Sequence, residues 1–145
     1  MNKKGFTLVE LLAVIAILAI LVIIALPNVL ELFKSAKTNA FFDEVQAVYT
    51  QAVNKYVLTQ FGTSTGNQTF CDACGEGKTL NVQNGTGEFH YCVVVDKDGN
   101  VTTIQVTDGE FEFKKTGVSY KKAKDLNQSD VSPFTSAASS SAGCA

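Results

Sequence analysis

Between Phe6 and Leu26 the chain runs for 21 residues with one charged side chain, Glu10. A helix of that length rises about 31 Å at ~1.5 Å per residue, enough to cross a bilayer. Only Met1-Asn2-Lys3-Lys4-Gly5 precedes it. Secretory signals are cut after their apolar stretch, at small residues, and Ala25-Leu26-Pro27-Asn28 lacks that A-x-A pattern. The natural processing point is the Gly5/Phe6 junction, in front of the apolar run. A cut there keeps the hydrophobic segment and makes it the new N-terminus. Lys3 and Lys4 precede the span, so the positive-inside rule puts the N-terminus in the cytoplasm and residues from Asn28 onward outside.

Glu10 sets the chemistry of this segment. A carboxylate inside a span costs at least ~2–3 kcal/mol and tends to be functional or paired. No Lys, Arg or His lies between Phe6 and Lys34. The one cation that processing would create nearby is the α-amine of Phe6. Within one chain, Phe6 and Glu10 are four apart and share a helix face. Between axially staggered chains, the Phe6 amine of one reaches Glu10 of the next. The plainer reading is a cap. Thr7-Leu8-Val9-Glu10 is an S/T-x-x-E capping box, and a carboxylate in a first turn suits the helix dipole. The cap and the pairing between chains are compatible.

The run Lys3-Lys4-Gly5-Phe6-Thr7-Leu8-Val9-Glu10, with Pro27 further on, resembles the class III signal of type IV pilins and pseudopilins. The resemblance implies cleavage after Gly5 by a prepilin peptidase, N-methylation of Phe6, and Phe6–Glu10 pairing between subunits. It implies other pilin subunits as partners in a homopolymer, with a platform protein and assembly ATPases. The chain carries no G-x-x-x-x-G-K-[ST] motif of its own. The implied life history is a single-pass precursor in the inner or cytoplasmic membrane, then an extracellular pilus.

After Pro27 the pattern stays helical. Val29, Phe33, Ala36, Ala40 or Phe41, Val45, Val48, Ala52 and Tyr56 recur at three- and four-residue intervals, opposite a polar face. The expected helix runs from about 7 to 60, apolar all round and then amphipathic, with a kink near Pro27. Phe61-Gly62 reads as its stop. Residues 62–87 read as a cysteine-bearing loop, with a short strand suggested at Lys78–Val82. Alternation then appears from Phe89 to Val95, Val101 to Thr107 and Phe111 to Lys115, broken by D-G turns. The expected fold is α+β: a long helix packed on a small antiparallel meander at 88–115, followed by a C-terminal loop, 116–145. The domain reading is a cleaved leader at 1–5, a transmembrane or filament-core helix at 6–27, and an extracytoplasmic head at 28–145. After removal of the membrane segment, roughly 115 residues remain, enough for one modest core.

Cys71, Cys74, Cys92 and Cys144 in an extracytoplasmic domain suggest disulfides. Three pairings are possible, with Cys144 bonded to one of the other three. Cys71–Cys74 is sterically possible, and Cys92–Cys144 then follows. Cys71-x-x-Cys74 with His90 and Cys92 also offers four zinc-type ligands. His90 and Cys92 do not make a usual second pair, and exported thiolates oxidise readily, so the reading is disulfides and no metal. A thioredoxin-like role lacks its βαβ context. The sequence suggests no carboxylate partner for His90. Asp96-x-Asp98-x-Asn100 imitates a calcium loop, but Gly99 falls two positions early and Thr107 stands where Glu belongs, so it reads as a hairpin turn. No cofactor is called for.

The net charge is −2, and losing Lys3 and Lys4 leaves −4. There is no Arg, and Lys121-Lys122-Ala123-Lys124, the one basic cluster, reads as a solvated loop or strand end, so no specific nucleic acid is expected as a partner. The leading function is a non-enzymatic structural subunit of a type IV pilus, serving adhesion, motility or DNA uptake. The alternatives are a pseudopilin of type II secretion or competence, and a single-pass anchored binding module.

Overall fold

The computed structural model describes residues 5–61, 66–82 and 89–135. Helix α1 spans Leu8–Gln60, and five strands follow: β1 (Gln68–Cys71), β2 (His90–Val95), β3 (Val101–Thr107), β4 (Phe111–Tyr120) and β5 (Val131–Pro133). Two single-turn 3₁₀ helices, Ala123–Asp125 and Gln128–Asp130, lie between β4 and β5. The strands form one antiparallel sheet in chain order, β1-β2-β3-β4-β5. The fold is therefore α+β, a helix packed on a β head.

The chain divides into two units, Met1–Lys37 and Thr38–Ala145. In the first, every described side chain is exposed. The helix passes through Pro27 without a break. Proline has no N–H, so the Ile23 carbonyl loses its usual donor four residues on.

In the second unit, Phe41, Val45, Val48, Tyr49, Ala52 and Tyr56 form the buried stripe of α1. They pack with Phe70, Tyr91, Val93, Val95, Val101, Ile104, Val106, Phe111 and Phe113 from the sheet. The stripe is shorter than the sequence suggests, because Val29, Phe33 and Ala36 are exposed. Fully burying each large apolar side chain contributes roughly 1.5–3 kcal/mol, so the nine that are completely enclosed anchor the head.

Strand bounds differ from the sequence reading at three places. The strand in the 62–87 segment is Gln68–Cys71, whereas Lys78–Val82 is irregular. β1 carries one buried residue, Phe70, so it leaves no alternating pattern to read. β4 continues five residues past Lys115, and β5 lies inside the segment read as the C-terminal loop. Gly117, at φ 73°, accounts for the first difference from simple alternation: between Thr103↔Thr116 and Val101↔Tyr120, β4 carries two extra residues. A positive φ inside a strand is what such a bulge needs. A second bulge leaves Thr102 unpaired, and its hydroxyl donates to the Val94 carbonyl at 3.3 Å.

Candidate functional site: the N-terminal segment and the cysteine edge

Thr7 closes the N-terminus of α1. Its N–H and its hydroxyl both donate to Glu10 Oε2, at 2.8 and 2.9 Å. In return, the Glu10 N–H donates to Thr7 Oγ1 at 3.3 Å. This reciprocal pair is the capping box that Thr-x-x-Glu spells, and it satisfies two of the helix's orphan donors. Leu11 N–H donates to the Thr7 carbonyl at 3.2 Å, as the ladder begins.

The cap corrects one detail of the sequence reading. Phe6 is not on a helix face with Glu10; it precedes the cap and lies outside the helix, which starts at Leu8. A four-residue spacing places side chains together only when both positions are helical. Gly5 and Phe6 have no regular secondary structure, and Phe6 is 90% exposed. Both bonds from Thr7 converge on Oε2, and among the described residues no donor reaches Oε1 of Glu10.

Beyond the cap, Leu8 through Leu26 present apolar side chains on all sides, none of them buried. A window of 18 residues in this helix reaches a mean hydropathy of 3.2. An apolar surface this large is unstable against water, so it belongs in lipid or against other chains.

The second cluster lies at the β1 edge of the sheet. Cys71 and Cys74 form a disulfide. Cys92 is also disulfide-bonded, and Cys144 lies outside the described residues. The two cysteines with zinc-ligand spacing are thus bonded to each other. Asp72, inside the same C-x-x-C, accepts a 2.6 Å hydrogen bond from His90 Nδ1 on β2. The sequence gives no sign of this partner, because the two are 18 residues apart and joined only by strand register. Tyr91 secures the loop from the core side: Leu80 N–H donates to its hydroxyl oxygen at 2.6 Å.

The Asp96 turn is complete without a cation. Asp96 Oδ1 accepts from the N–H groups of Asp98 and Asn100, at 2.9 and 2.8 Å, and Oδ2 accepts from the Asn100 side-chain amide at 3.3 Å. Gly99, at φ 82°, supplies the left-handed residue. Burial pushes the Asp96 carboxyl upward, but the hydrogen bonds from Asn100, Asp98 and Gly99 together hold it below the ordinary carboxylate value. Lys121, Lys122 and Lys124 are exposed, at the end of β4 and in the turn beyond it.

Residues 1–26 match the prokaryotic N-terminal methylation motif. This class III signal is the signature of type IV pilins and pseudopilins, which are structural subunits rather than enzymes. Neither the curated proteins nor the solved structures yielded a match to the chain. The motif and the apolar helix fit a membrane-anchored precursor, with prepilin peptidase and other pilin subunits as the partners the signature implies.

Proposed function

We propose that the chain is a subunit of a type IV pilus, cleaved between Gly5 and Phe6, methylated on Phe6, and polymerised through its N-terminal helix. The observation that carries this reading is the apolar stretch of α1 from Leu8 to Leu26, exposed on every side, whose one carboxylate, Glu10, caps the helix through a single oxygen. Cleavage creates an α-amine at Phe6. In the filament, that amine on one subunit donates to Glu10 Oε1 of the next, while Thr7 keeps Oε2. The cap and the assembly contact then coexist on one side chain.

Extraction from the membrane moves Phe6–Leu26 from lipid to a bundle of like helices. Apolar burial is kept, and a carboxylate that costs ~2–3 kcal/mol in lipid gains a cation. Pro27 sits at the boundary of the apolar run, and the bond lost from Ile23 makes it the softest point of the helix, where a bend is expected. A platform protein and assembly ATPases supply the work. The head stays outside as the filament surface, braced by its disulfides. That bracing favours a pilus subunit over a pseudopilin, because the head of a surface filament must survive outside the cell.

Mass spectrometry of sheared surface filaments tests the proposal. The expected result is this chain as a main component, starting at a methylated Phe6. Filaments without it, or with Met1 intact, refute the reading. Processed chain held in the envelope, with protein export lost on its deletion, would assign it to the pseudopilins instead.

A further inference from the structure

The Asp72 N–H donates to the Tyr91 carbonyl at 3.4 Å, and this bond fixes the alternation of the β1–β2 ladder. Asp72 and Tyr91 are a hydrogen-bonded pair, so Cys71 and Cys92, the next pair along, are non-hydrogen-bonded partners. Residues in such a pair have Cα atoms about 4.5 Å apart and the closest side chains in the sheet. Disulfides span Cα separations of about 4.4–6.8 Å. Cys71 and Cys92 are therefore placed to bond with no movement of the strands. Instead, Cys71 is bonded to Cys74, and Cys92 belongs to a second disulfide. Cysteines of two different disulfides are thus cross-strand neighbours, on the face of β2 that points away from the core. Cys71, Cys74 and Cys92 are all partly exposed, and β1 is the edge strand.

We propose that this patch is a thiol–disulfide exchange site, modified by a small monothiol on Cys74. The thiolate of the incoming thiol attacks Cys74 Sγ. The Cys71–Cys74 bond breaks, a mixed disulfide forms on Cys74, and Cys71 leaves as a thiolate. Cys71 then attacks its cross-strand neighbour, Cys92 Sγ. A Cys71–Cys92 bond forms, the earlier bond of Cys92 breaks, and its former partner leaves as a thiolate that takes up the proton of the incoming thiol. Two disulfides enter and two leave, so no external oxidant is needed. Asp72 helps by position. Its bond to His90 ties the C-x-x-C to β2 after the Cys71–Cys74 bond has opened, so Cys71 stays in register with its target. The consequence is a head in which Cys92 exchanges its first partner for Cys71 and the sheet edge gains a cross-strand staple.

The test uses the full-length chain in detergent micelles with reduced glutathione as the probe. The reaction is quenched with acid, the free thiols are alkylated, and the peptides are mapped without reduction. The expected product carries a Cys71–Cys92 bond, glutathione on Cys74, and one alkylated cysteine that had been the partner of Cys92. Glutathione on Cys74 with Cys71 alkylated and the bond of Cys92 intact would overturn the proposal, as would no reaction. A second arm uses Cys74→Ser, purified without reductant. The expected bond is Cys71–Cys92; a folded variant with Cys71 alkylated and the original Cys92 bond retained counts against the site. The wild-type arm stands whether or not the variant folds.

Discussion

The Tyr49 hydroxyl donates a 3.0 Å hydrogen bond to the carbonyl of Tyr120, joining α1 to the last residue of β4 across 71 positions. Both residues are buried, and the contact fixes the sheet's longest strand to the helix beyond what apolar packing specifies. Replacing Tyr49 with Phe keeps the ring and leaves a buried carbonyl without that donor. The expected cost is about 1–3 kcal/mol. Thermal unfolding followed by circular dichroism should show a lower midpoint for Tyr49→Phe, and an unchanged midpoint would mean that water or relaxation replaces the bond.

Glu10→Gln should leave the head folded and sharply reduce filament number. The amide keeps an oxygen for the Thr7 N–H, so the cap is only weakened, but it offers no charge to a neighbouring amine. Glu10→Ala removes both functions. Counting filaments by electron microscopy separates the cases: assembly near wild type with Gln would show that capping, not charge, is what the carboxylate supplies.

The mature chain should begin at Phe6 with a methylated amine. Intact-mass measurement of the membrane-extracted protein reads both changes at once. Substituting Gly5 with a bulky residue should block processing and leave the leader attached, whereas normal maturation of such a variant would move the cut elsewhere.

Peptide mapping of untreated protein should find Cys71–Cys74 together with a bond from Cys92 to Cys144. Cys92–Cys144 would close a long loop and typically contribute about 2–5 kcal/mol. Recovery of Cys71, Cys74 or Cys92 as a free thiol in exported protein would contradict this arrangement.

Asp96 gives the head an acid-sensitive turn. Its folded carboxyl titrates below the ordinary 3.8. A group depressed on folding adds stability above its unfolded value, and that stability is lost as pH falls through the folded value. The urea midpoint of the wild type should therefore drop more between pH 5 and pH 2 than that of Asp96→Asn. Equal drops would show that the turn is held by shape alone.

The residues that announced themselves in the sequence did so through spacing. Twenty-one nearly uninterrupted apolar positions give the first part of α1, three- and four-residue recurrence gives the stripe from Phe41 to Tyr56, and alternation gives β2 and β3. The capping box was equally legible, because both partners lie within one turn. What spacing cannot carry stayed hidden. β1 buries only Phe70, and β5 is three residues long and ends in a proline on a sheet edge, so neither has a period to detect. The Asp72–His90 bond and the Cys71/Cys92 juxtaposition exist only once β1 and β2 are in register. The place of Phe6 is hidden for a related reason: a helix is counted from its cap, and with the cap at Thr7 the first helical residue is Leu8, so Phe6 lies outside.

That late start has a practical consequence for maturation. Proteases bind substrates as extended strands, and helical bonds must usually be broken before a cut. Here the Gly5–Phe6 peptide already lies outside any helix, while the helical ladder first accepts at the Thr7 carbonyl. A cut at this junction would break none of the described helical bonds and would leave the Thr7–Glu10 cap whole. If the cut falls there, the described helix and its cap keep every bond they have, and what processing adds for assembly is one newly uncovered nitrogen at Phe6.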